Sequence, residues 1–207
     1  MSKSRLRKAL HVGRPNIPNK EKILSKLSEV LDNKWLTNNG PMVQELEHKI
    51  QQYLGIKHCI CVCNATIGLE ILQRALDLKG EVIIPSFTFI ATANSLRWQK
   101  IRPVFCDIQS DSHLIDPDRI EELITEKTSA ILAVPIWGQP CDYPALEKIA
   151  KRYSLKLIFD SAHAFGCKAG EKFIGGFGDA EVFSFHATKV FSTGEGGAIT
   201  TNSDELA

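Results

Sequence analysis

Residues 155–163 read Leu-Lys-Leu-Ile-Phe-Asp-Ser-Ala-His, a short and mostly apolar run that breaks at Asp160 into a polar loop. An apolar stretch of this length, bounded by small and polar residues, fits a strand buried on both faces. A carboxylate at the end of such a strand is costly unless it meets a cation or a polar ligand. Taken alone, Asp160 suits an internal salt bridge or a helix cap as well as it suits a ligand.

The same pattern recurs on either side. Cys59–Cys63, Val82–Ile84, Pro103–Phe105, Ala130–Val134 and Val182–Phe185 are further short strands, mostly β-branched or aromatic. Between them lie helical patterns. Ile23, Leu24, Leu27 and Val30–Leu31 mark a first amphipathic helix from Glu21 to near Asn33. Pro41 suits the first position of a second helix, which carries Val43, Leu46, Ile50 and Leu54 and stops at Gly55. Leu69, Leu72 and Leu76 share one face of a third, and Ile90–Trp98, Pro117–Thr125 and Pro144–Tyr153 read as three more. Regular β–α alternation with apolar strands implies an α/β fold, a mostly parallel sheet with helices on both faces. The closing run GGAITTNSDELA reads as one more strand and, at Ser203–Asp204, the cap of a further helix.

Composition narrows the function classes. The 207 residues carry 25 Lys+Arg against 24 Asp+Glu, a formal charge of +1. That balance argues against a general nucleic-acid binder. A hydrophobic share of 43% with 24% charged residues is globular rather than disordered. No apolar run approaches the roughly 18 residues of a spanning helix, and no apolar segment near Met1 resembles a secretory signal. The expectation is a cytoplasmic protein with neither membrane nor nucleic-acid partner. Residues 1–20 form a basic arm (Lys3, Arg5, Arg7, Lys8, Arg14, Lys20), read as a solvated tail, and 21–207 form one domain.

Cys59, Cys61 and Cys63 alternate, so on a strand they share one face. Their spacing is wrong for a zinc knuckle and no second Cys or His pair follows, so they read as small buried hydrophobes beneath a helix and no metal is expected. Cys106, Cys141 and Cys167 stand alone. The glycine clusters Gly175–Gly178 and Gly194–Gly197 lack the G-x-G-x-x-G spacing, and no P-loop is present.

Ligands of open α/β sheets bind at the carboxyl edge of the strands, where three loops stand out. Asn64-Ala65-Thr66-Ile67-Gly68 joins a strand to a helix, and its small residues let helix-start amides approach an anion. The second loop is Asp160–His163. The third, Ser184-Phe185-His186-Ala187-Thr188-Lys189, precedes Gly194-Glu195-Gly196-Gly197. Singly these are an ordinary cap, a buried ion pair and a solvated lysine. Together, an anion cup, an acid and a lysine are the parts that a pyridoxal phosphate site requires.

With GRPNI near residue 13, WLTNNGP at 35–41 and PSFTFIATAN at 85–94, these loops resemble, in order and approximate spacing, the DegT/DnrJ/StrS family of pyridoxal-phosphate-dependent sugar aminotransferases. The resemblance implies the fold-type-I (aspartate-aminotransferase-like) large domain, with a seven-stranded type of sheet. It implies that Lys189 forms a Schiff base with pyridoxal 5'-phosphate, that Asp160 faces the pyridine nitrogen, and that Phe89 stacks on the ring. His163 falls where the family contacts the phenolic oxygen, and Ala65, Thr66 and Ser184 where it contacts the phosphate. His186 sits at a variable position and is read as structural.

The implied reaction moves an amino group from an amino acid, glutamate by expectation, to a keto group of a nucleotide-linked sugar, in a homodimer. Two readings stand beside it: an inactive cofactor-binding or dimerising remnant, and a sugar dehydratase, whose relatives carry His in place of the lysine. Where relatives commonly read Val-His-Leu-Tyr-Gly, this chain has Val134-Pro135-Ile136-Trp137-Gly138, which affects substrate contacts. Family members run to roughly twice this length, as a two-domain chain would, so a smaller C-terminal domain is expected to be missing.

Overall fold

The computed structural model describes residues 13–207; Lys3, Arg5, Arg7 and Lys8 of the basic arm lie outside them. Two helices lead, α1 (Lys20–Asn33) and α2 (Pro41–Leu54). Then β1 (His58–Val62), α3 (Ala65–Ala75), β2 (Glu81–Pro85), α4 (Ile90–Trp98), β3 (Arg102–Cys106) and β4 (Thr128–Ala133) alternate. After α5 (Tyr143–Tyr153) come β5 (Lys156–Asp160), a two-residue hairpin β6 (Lys168–Ala169) and β7 (Lys172–Phe173), then β8 (Ala180–Ser184) and β9 (Gly197–Thr201).

Seven strands form one sheet in the order β1-β9-β8-β5-β4-β2-β3. Pairings β2–β3, β2–β4, β4–β5 and β5–β8 are parallel, and β9 runs antiparallel to both β8 and β1. The mostly parallel α/β sheet expected from the alternation is therefore present, with β9 as the reversed strand. Because β9 is reversed, its first residue Gly197 lies at the same edge as the last residues of β1 and β8, opposite Val62 and Ser184.

Successive strand residues point to opposite faces, and the core divides accordingly. On one face Ile83, Ile131, Leu157, Phe159 and Phe183 pack with Ile50 and Leu54 of α2 and Leu146 and Ile149 of α5. On the other, Ile84, Leu132, Ile158 and Val182 meet Leu69 and Leu72 of α3 and Leu96 of α4. This alternation determines where the strand-end carboxylates go. Asp160 follows Ile158 toward α3 and α4, whereas Glu181 follows Phe183 toward the opposite layer.

Helix ends obey local chemistry. Asn19, Asn64 and Asp142 cap α1, α3 and α5 through their side-chain oxygens, and Gly55 ends α2 in the left-handed region at φ 69°.

Two sequence expectations are corrected. Pro117–Thr125 is not an α-helix but two single 3₁₀ turns, Pro117–Arg119 and Glu121–Leu123. Pro117 and Ile120 are buried there while Leu123 and Ile124 pack only in part, so a few scattered apolar contacts rather than a helical stripe hold the segment. Of the cysteine stripe, Cys59 is buried under α2, Cys61 is half-buried with its amide donating to Glu47 Oε1 (2.8 Å), and Cys63 is exposed. Cys63 lies one residue past the strand, in the turn to α3, where α2 no longer covers it. At the other end Ser203 Oγ accepts from Leu206 N (3.2 Å) and caps a single turn.

Candidate active site

Four strand ends and the start of α3 converge on a cavity of about 510 Å³. Ala65, Thr66, Phe89, Asp160, His163, Ser184 and Lys189, all seven site residues expected from the sequence, line it. They arrive from four segments spread over more than a hundred residues of chain.

The start of α3 supplies the anion cup. Asn64 Oδ1 accepts from Ile67 N (2.9 Å) and Asn64 O from Gly68 N (3.0 Å). The Ala65 and Thr66 amides, first in the helix, have no intrahelical acceptor. Gly68 lets the helix come down onto the sheet: a Cβ there would lie 2.9 Å from Val182 Cγ1 and 3.2 Å from Val62 Cγ2. Ser184, at the end of β8, faces the same space and is only 8% exposed.

Asp160 ends β5 with 6% exposure. Thr92 Oγ1 donates to its Oδ2 (2.7 Å) and the Ala162 amide to its Oδ1 (3.3 Å). No ion pair among the described residues closes on it. Burial raises its carboxyl above the usual range, while Thr92, the Ala162 amide, His163 and Lys189 pull in the other direction. A buried carboxylate that faces a cavity without a cation partner suits a ligand bearing an N–H⁺ or a pyridinium nitrogen.

Lys189 sits in the loop after β8 and lines this cavity and a second one beside it, with Trp137, Phe165 and Val190. Burial lowers its ammonium below the ordinary lysine range, against the opposing pull of Asp160. A larger share of free amine follows, which is what a nucleophilic or proton-shuttling lysine needs. Burial likewise lowers His163, helped by Lys189 and opposed by Asp160. The Trp137 amide donates to His163 Nδ1 (3.3 Å), which leaves the proton of the neutral ring on Nε2.

Phe89 is 70% exposed and lines the cavity. His186, read as structural, also lines the wall; its Nδ1 pairs with Thr188 Oγ1 (2.9 Å) and its Nε2 lies 3.8 Å from Glu195. Sequence reading missed Thr88, Thr92 and Glu195. The first two stand four apart within PSFTFIATAN, Thr88 just before α4 and Thr92 in its first turn; what the sequence does not show is that this turn packs against the end of β5.

The donor set fits pyridoxal phosphate: amides and a hydroxyl for a phosphate, a carboxylate for a ring nitrogen, an aromatic face and a lysine amine, all on one cavity.

Comparison with known proteins agrees. A dTDP-4-amino-4,6-dideoxy-D-glucose transaminase of Shigella dysenteriae is 47% identical over 201 residues, covering 97% of this chain and 55% of that protein. The crystal structure of DesI, solved in the presence of its TDP-sugar product, superposes with a TM-score of 0.93 at 46% identity, over 96% of this chain and 50% of DesI. A Streptococcus pneumoniae protein described as a sugar aminotransferase, solved in its PLP form, superposes at 0.89 with 31% identity, over 96% of this chain and 54% of that one. The chain thus spans about half the length of the relatives it matches. Its sheet and helices are those of the fold-type-I aminotransferase large domain. Residues 18–207 match the DegT/DnrJ/EryC1/StrS aminotransferase family, and the chain belongs to that family.

Proposed function

We propose that residues 21–207 form the cofactor-binding large domain of a pyridoxal-phosphate-dependent aminotransferase that delivers an amino group to a keto group of a nucleotide-linked sugar. The observation that carries this reading is Asp160 and Lys189 on one cavity, with the α3 amides on the same wall. The acceptor class is supported by the dTDP-sugar transaminase and the DesI product complex among the relatives. Glutamate as donor, a homodimer as working unit and the cytoplasm as location rest on the family resemblance. Exposed apolar side chains such as Leu24, Leu27 and Leu31 on α1, Trp98 and Phe105 support a covered surface in the assembly.

When bound, pyridoxal phosphate supplies an aldehyde that takes up the amino group and an electron-withdrawing ring that stabilises negative charge on the carbon losing its proton. The chain's residues do the rest. The Ala65 and Thr66 amides and the Ser184 hydroxyl bind the phosphate. Asp160 holds a proton at the ring nitrogen by its negative charge. Phe89 orients the ring through area and geometry. His163 Nε2 donates toward the phenolic oxygen. Lys189 Nζ would hold the cofactor's aldehyde carbon, and as a free amine it would accept and return a proton at Nζ.

Mixing the protein with pyridoxal phosphate is expected to give an absorbance band at the visible edge that Lys189→Ala abolishes. Glutamate is then expected to bleach the band in a single turnover. A wild-type protein that shows no band overturns the proposal.

A further inference from the structure

The carboxylate of Asp160 is held by a chain of side-chain hydroxyls that neither the motifs nor the reading above uses. Thr92 is 0% exposed, in the first turn of α4, and its Oγ1 lies 2.7 Å from Asp160 Oδ2. On its other side Thr88 Oγ1 lies 2.8 Å away, and Thr88 lines the cavity. A hydroxyl has one proton to give. With Asp160 ionised, Thr92 spends that proton on Oδ2, so Thr88 must donate to Thr92, and both dipoles point at the carboxylate. With Oδ2 protonated and donating to Thr92, the same pair reverses.

The backbone that carries Thr92 is held in turn. Ser95 Oγ donates to Thr92 O (3.1 Å) and Gln73 Nε2 of α3 donates to Ser95 Oγ (2.8 Å). Ser95 and Gln73 are both fully buried. These ties fix the backbone at Thr92, and its full burial leaves the hydroxyl little room to turn elsewhere.

We propose that Thr92 is a positioning residue for Asp160: relayed from Thr88, its hydroxyl keeps the carboxylate in its charged, acceptor-only form and holds it in place at the cavity wall. The proposal rests on the cofactor reading for its purpose but not for its geometry. Other titratable groups facing Asp160 are His163, from its own loop, and Lys189, from the loop after β8. Neighbouring Glu181 on β8 is engaged on the opposite layer by Ser161, Gly175 and Phe177. From α4, only the neutral Thr92 hydroxyl reaches the carboxylate. Burial works against ionisation here, and the Thr92 hydroxyl, 2.7 Å from Oδ2, works for it.

The test is the titration of Asp160 in the cofactor-free 207-residue chain, followed by ¹³C NMR of its side-chain carboxyl carbon and assigned with Asp160→Asn. Thr92→Val removes the hydroxyl at nearly constant volume and is expected to raise the midpoint by roughly one pH unit. Thr92→Ser is expected to return it toward wild type, which a purely packing role would not do. Thr88→Val, on the cavity side, is expected to raise it by a smaller amount, and it gives a reading of the chain even if Thr92→Val fails to fold. Midpoints unchanged in the folded variants overturn the proposal. A wild-type protein that takes up no pyridoxal phosphate overturns the cofactor reading instead, and leaves this titration to be judged separately.

Discussion

Gly197 is pressed against the first amide of α3: a Cβ at Gly197 would lie 2.9 Å from Ala65 N and 2.7 Å from Phe183 O. β9 thus opens without a side chain at the point where the helix start, Val62 and Ser184 meet. The obstructing atoms are backbone, which cannot swing aside as a side chain can. Gly197→Ala is expected to cost about 1–3 kcal/mol in denaturant unfolding. It is also expected to weaken retention of pyridoxal phosphate on dialysis, because relief comes most easily by moving the α3 amides.

Phe89 offers a cleaner separation of binding from folding. At 70% exposure its ring contributes little to the core, so Phe89→Ala is expected to change stability by less than about 0.5 kcal/mol. Pyridoxal phosphate, deprived of its stacking face, should dissociate faster, followed as loss of the visible band on dilution. A melting temperature that falls with no change in cofactor retention would contradict this assignment.

Asp160→Asn keeps an oxygen for the Thr92 hydroxyl and removes the charge. Band formation with pyridoxal phosphate is expected to survive, since Lys189 is untouched. The half-reaction with glutamate is expected to slow by roughly 10²-fold or more, the range typical for loss of one electrostatic group aimed at developing charge. Stopped-flow bleaching of the band measures it.

Glu181 predicts a pH dependence of stability. It is fully buried; its Oε1 accepts from the Gly175 (2.7 Å) and Phe177 (2.9 Å) amides and its Oε2 from Ser161 Oγ. Burial nonetheless pushes its carboxyl up to about 7 from 4.5, against the pull of those donors. The folded state therefore holds a proton that the unfolded chain releases between these two values, so stability falls as pH rises through that window. Glu181→Gln keeps an oxygen for the two amides, and its NH₂ can donate to the Ser161 hydroxyl, so it is expected to fold. Urea unfolding at pH 5 and pH 8 should show wild type losing on the order of 2–3 kcal/mol relative to the variant. Parallel pH profiles for the two would refute the burial of an ionisable group there.

Much of this architecture was readable along the chain. Apolar runs such as Leu155–Phe159 and the i, i+4 stripe of Ile50 and Leu54 declare their period locally, because burial of one face or both imposes it. Where the stripe is weak, as at Pro117–Thr125, the pattern overstated a helix, and two 3₁₀ turns anchored at Pro117 and Ile120 take its place. Seven of the residues that line the cavity were picked out through the order of several motifs, each ambiguous by itself.

What the amino-acid order determined on its own is most of the helices and strands, the cap at Asn64, and the residues at each strand's end. Only the folded sheet decided that β9 runs backwards, bringing Gly197 to Ser184 and Ala65. The same sheet turned Asp160 toward Thr92 and Glu181 toward Gly175. The reason is geometric: a strand's two-residue period says that neighbours point apart, but which face meets which helix depends on pairings made across more than a hundred residues.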